Sequence, residues 1–208
     1  MPSPLILLIA QSSVVSTPTT RHETEPRWIE KAIIERVTPV GSVNKPITVS
    51  KDYLRSPEDT IRWIANIGRD SVSNKSQSTV NPISNDLGYG CRKVIQFAQG
   101  VEAANSKILN GMTTAYRCDG FVTDVTQQDF SHPLKSETAM GFAPTQIMAV
   151  VHGGALLKNF RQNGEGVRDA VYLWVGKSQS IELTLTTTQL SHQALEVRAD
   201  QIIDTLTR

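Results

Sequence analysis

Apolar positions along this chain recur at two spacings, and each spacing predicts a different kind of element. Helical spacing comes first: Trp28, Ile29, Ala32, Ile33 and Val37 form one face after a Thr24 cap and Pro26, and Thr38-Pro39 ends the run. Ser56-Pro57-Glu58-Asp59 is the best local signature, with a capping hydroxyl, proline at the first helical position and two acids against the helix dipole. Ile61, Ile64 and Ile67 supply its apolar stripe, and Gly68 suits its C-terminal stop. Val94, Ala98, Val101, Asn105 and Ile108, widened by Ile95 and Leu109, step by three and four, which predicts a long central helix over residues 90–109 closed by Asn110-Gly111. A last helix starts at Ser191 and carries Leu195, Ala199, Ile202 and Leu206 inward.

Period-two alternation marks the strands. Residues 112–118 and 121–125 flank Asp119-Gly120, a type I′ hairpin signal, and residues 167–175 and 179–187 flank a turn at Gly176-Lys177. In the second hairpin Val171, Leu173 and Val175 are read on one face with Ile181, Leu183 and Leu185. Ala170, Tyr172 and Trp174 are read on the other, with Glu182, Thr184 and Thr186. Ile47-Thr48-Val49 reads as a short strand. Residues 145–160 admit two readings, a strand followed by a Gly153-Gly154 turn and a helix, or one helix through both glycines.

These elements predict an α+β fold: a mainly antiparallel sheet built from two hairpins (112–125 and 167–187), with the helix 90–109 across it and further amphipathic helices on one face. Residues 1–24 form an extended lead segment and residues 25–208 a single domain, interrupted by a polar loop at 69–85. The 208 residues suffice for one buried core, and 39% hydrophobic with 20% charged residues is an ordinary folded composition. A formal net charge of +1, with scattered basic residues, offers no field for nucleic acid, so no nucleic-acid partner is expected. No apolar run reaches the ~18–20 residues of a transmembrane segment. The short run from Leu5 to Ala10 reads either as a signal-like core, which would imply secretion, or as a hydrophobic tail that docks on a core or partner.

Candidate chemistry centres on Cys91, which ends Gly88-Tyr89-Gly90-Cys91 at the start of the expected helix 90–109. A thiol there faces unpaired N–H groups and the positive end of the dipole, which lowers its pKa. His152 ends an expected strand, Asp169 begins another, and Asn85 lies six residues before the cysteine. This order of amide donor, cysteine helix, histidine and carboxylate resembles papain-type cysteine hydrolases. The resemblance implies Cys91 as nucleophile, His152 as base, Asp169 as its orienter and Asn85 as oxyanion donor. Two other readings compete: a buried structural thiol on an apolar face, and a disulfide between Cys91 and Cys118, the only two cysteines. His152-Gly153-Gly154 resembles an esterase oxyanion loop, but no G-x-S-x-G elbow accompanies it. The four histidines stand at no metal-ligand spacing, and no phosphate or dinucleotide fingerprint occurs, so no metal or cofactor is expected.

The leading functional expectation is a noncatalytic partner-binding or assembly subunit, with the hydrolase as its alternative. Trp28, Trp63 and Trp174, with Tyr89, Tyr116 and Tyr172, supply amphipathic anchors, and near-zero net charge lowers repulsion between copies. Residues 1–12 are the expected docking tail.

Overall fold

The computed structural model describes residues 46–72, 77–83, 87–104, 106–134 and 149–208. The expected helix at 25–37 and the tail at 1–12 lie outside them. One eight-stranded sheet dominates. Its strands are β1 (Ile47–Thr48), β2 (Arg92–Glu102), β3 (Leu109–Cys118), β4 (Phe121–Asp129), β5 (Ala149–Val151), β6 (Gly154–Gln162), β7 (Arg168–Val175) and β8 (Gln179–Thr187). They are ordered β1-β6-β7-β8-β4-β3-β2, with β5 sharing the outer side of β6 with β1. Every pairing is antiparallel except β1 with β6. Two α-helices are described, α1 (Pro57–Val72) and α2 (His192–Thr207).

The expected architecture therefore needs correction at its centre. Residues 90–109 do not form a helix: Arg92–Glu102 is the edge strand β2, paired with β3. Two register irregularities, between Lys93 and Ile95 and between Gln99 and Glu102, explain the misleading spacing. Each bulge inserts a residue and turns a two-residue step into three, which imitates helical periodicity. The β-branched and aromatic content at Val94, Ile95, Phe97 and Val101 carried the strand preference instead.

The helices also do not share one face. Ile61 and Ile64 of α1 pack with Phe97, Ala115 and Val122, whereas Leu195, Ala199, Ile202 and Ile203 of α2 pack with Tyr116, Val125, Tyr172 and Leu183. Ala115 and Tyr116 are neighbours on β3 and point to opposite sides, so α1 and α2 sandwich the sheet. Ser56 caps α1 by accepting from the Asp59 N–H at 3.2 Å. Gly68 does not stop that helix. It is buried within it, and a Cβ there would come within 2.4 Å of Ile95 and 2.7 Å of Phe97. The glycine is thus a close-approach residue, and Ile67, expected inside, is 37% exposed.

The β7–β8 hairpin corrects the expected faces. Three residues connect the strands, and Ala170, Tyr172 and Trp174 pair with Leu185, Leu183 and Ile181. These six form the buried layer under α2. Val171 and Leu173 share the other face with Thr184 and Glu182. Val175 pairs with Ser180, so four residues separate the paired positions; that even number sets odd positions of β7 opposite even positions of β8, whereas the expected grouping needs an odd number. Between β3 and β4, Cys118 pairs with Phe121 across Asp119-Gly120, and of those two turn residues only Gly120 has positive φ (84°), so the turn is not type I′.

The described part of 145–160 is strand on both sides of a turn. His152 and Gly153 both adopt positive φ (47° and 77°), the I′ pattern, and β6 continues as strand where a helix was expected. No described helix is long and apolar enough to cross a membrane.

Candidate functional site

The glycine–tyrosine–glycine turn is left-handed throughout, with φ of 73°, 56° and 65° at Gly88, Tyr89 and Gly90. It leads into a strand, so Cys91 has no helix dipole behind it. Its sulfur is bonded to Cys118, with Cα atoms 3.9 Å apart. Arg92 pairs with Arg117, so the disulfide joins the next opposed positions and clamps the start of β2 to the end of β3. Tyr89 anchors the turn: its carbonyl accepts from the Asp119 N–H at 3.1 Å, its hydroxyl donates to Gln201, and Arg198 stacks 4.1 Å above its ring.

The other residues of the expected catalytic set stand elsewhere. His152 sits in the β5–β6 turn, where its Nε2 lies 2.7 Å from Asp204 of α2. Cys118 lies at the sheet end marked by Arg161 and Asp169, while His152 precedes Gly154 at the opposite end of β6, about 23 Å along the strand. Asp169 is engaged by Arg161 in a bidentate pair at 2.9 and 2.5 Å and does not orient His152. Asn85 lies outside the described residues. The structure thus brings together Cys91 with Cys118, His152 with Asp204, and Asp169 with Arg161, but not the first member of each pair with the others.

A second group assembles on the α1 face. Register aligns Asp124 with Thr184, Glu182 with Thr126 and Leu173, and Asp169 with Thr186, so three carboxylates share this face with Arg161. Burial pushes the Asp124 carboxyl up to about 7, and the neighbouring charges of Glu182 and Asp169 push the same way. Burial raises Glu182 too, against the pull of Arg161. It also raises Asp169, where the bidentate guanidinium opposes the rise without cancelling it. Sequence alternation already grouped Glu182 with the threonines of β8; Asp124 could be added only once β4 was known to lie beside β8. Among the described residues no cluster of three or more His, Cys, Asp or Glu is arranged to hold a metal ion.

The third feature is the outer side of β2. The opposite sheet edge is covered by β1 and β5, but no described strand pairs the outer side of Arg92–Val101. Among the described residues, Leu134 and Pro133 come alongside at Ala103 and Ala104. Arg92, Lys93 and Val94 are exposed, and Val94 occupies the first bulge with 43% of its surface open. The second bulge holds Gly100 at φ 101°. Buried Asn110 fixes it, accepting from the Val101 N–H at 2.8 Å and donating to the Asp129 carbonyl at 3.3 Å. The bulged side chains were hidden in the sequence by the same spacing that imitated a helix.

Comparison with known proteins finds no match to a family model, to a curated protein or to a solved structure.

Proposed function

We propose that this chain is a noncatalytic binding or assembly subunit that works in an oxidising compartment. The observation that carries this reading is the outer edge of β2, where no described strand pairs with Arg92–Val101 and Val94 is exposed. Such an edge is a template for strand addition by another chain. The Cys91–Cys118 disulfide favours an extracytoplasmic setting, because structural disulfides persist where thiols are not kept reduced. The apolar run from Leu5 to Ala10 fits passage to such a compartment as a signal core, or docking as a tail through residues 1–12. The papain-like alternative needs Cys91, His152 and Asp169 in one place, and each has a different partner.

Native mass spectrometry of the chain isolated under mild conditions from its own source tests the reading. The chain is expected in a species heavier than one copy. Recovery as a lone chain, together with iodoacetamide labelling of Cys91 in the native protein, would overturn it.

A further inference from the structure

We infer that the partner at β2 is a second copy of the same strand, running antiparallel about a two-fold axis at Phe97; this deepens the binding reading above and rests on it. An exposed edge with a lysine and two bulges is ordinarily protected against pairing, since a regular partner strand cannot follow it. The positions of the bulges change that conclusion for one partner only. Val94 lies three residues before Phe97 and Gly100 three residues after it. Antiparallel pairing about Phe97 therefore sets each Val94 opposite the other copy's Gly100, an exposed apolar side chain against a residue with none. Irregularity meets irregularity, and Ile95 faces Gln99 in the regular stretch between.

Charge follows the same symmetry. The strand begins with Arg92-Lys93 and ends with Glu102, so the two-fold places each cationic end beside the other copy's carboxylate. Opposite charges across an antiparallel pair are favourable, and an isologous contact occurs twice. A parallel arrangement would stack like ends. A straight foreign strand would meet Val94 without a matching gap, so the features that exclude other partners admit this one. The axis is perpendicular to the sheet, which keeps both α1 helices on one side of the joined layer. α1 lies over β2 through Gly68, and beside that contact Ile67 is 37% exposed. The formal charge of +1 per copy leaves little repulsion to overcome.

Sedimentation equilibrium of the full oxidised chain tests the pairing. The unmodified protein is expected to be a dimer in reversible equilibrium. Val94→Lys, Arg92→Glu and Glu102→Arg are each expected to raise the dimer dissociation constant roughly tenfold, because each change acts at two symmetric places. The double variant Arg92→Glu/Glu102→Arg is expected to recover most of the loss, which a merely misfolded strand would not do; circular dichroism on each variant checks the fold. A dimer indifferent to all four variants overturns β2 pairing while leaving the binding reading intact, as does a pure monomer whose native-source form is still a larger complex. A pure monomer that is also a lone chain in its source removes both.

Discussion

Asp124 is a carboxyl whose buried surroundings depart far from what its identity alone implies. Its carboxyl is raised to about 7 by burial first, then by Glu182 and Asp169. An unfolded aspartate titrates near ~4, so between those values the folded chain holds a proton that the unfolded chain has lost. The contribution of this group is complete below the unfolded value and is lost as pH rises through about 7. Glu182 acts in the same direction, while the lowered Asp204 and Glu58 act oppositely from exposed sites where solvent weakens them. Urea unfolding should therefore show Asp124→Asn more stable than the unmodified chain at pH 8, by on the order of 2–4 kcal/mol, with the advantage shrinking toward pH 4. An unchanged pH dependence would show that Asp124 is not the titrating group. Asn110→Ala makes the opposite point: a buried side chain that serves two strands is lost, the Val101 N–H loses its acceptor, and a loss of ~1–3 kcal/mol is expected in the same assay.

Elements were legible where their signals were local. The Ser56 and Ser191 caps both hold, the latter accepting from the Ala194 N–H at 3.2 Å, because capping depends on residues within one turn. Ser191→Ala should cost about 1 kcal/mol, read as a lower urea midpoint with an unchanged slope. The strand β2 was illegible because a bulge is set by its neighbour: nothing in residues 90–109 says that Asn110 will hold Gly100 in place. The candidate catalytic set failed for the same reason. Its cysteine was judged by a helix that does not exist, and its histidine and aspartate by an order along the chain that says nothing about which ends of the strands they occupy. The covalent clamp beside β2 gives an element-scale prediction. It joins cysteines 27 positions apart, worth about 3–4 kcal/mol in chain entropy, so dithiothreitol should lower the denaturation midpoint accordingly. Without reductant, native Cys91 and Cys118 should take up no thiol reagent. Equal stability with and without reductant would contradict that role.

On the scale of the whole molecule, one sheet divides two apolar layers. Ile64 belongs to the layer under α1 and Ile202 to that under α2, with no shared cluster between them. Ile64→Ala and Ile202→Ala should each cost ~2–5 kcal/mol, and the two costs should add within about 0.5 kcal/mol in the double variant. Strong coupling would mean the layers communicate through the sheet. The chain alone determined what short-range chemistry controls: the two capped helix starts, the two-residue connection at Asp119-Gly120, and a composition able to bury one core. Only the folded arrangement decided that residues 92–102 are an edge strand, that β8 returns to lie beside β4, that the helices take opposite faces, and that Cys91 meets Cys118. Those outcomes depend on pairing between segments distant in sequence, where a single inserted residue reverses which side faces inward, and no local periodicity carries that information.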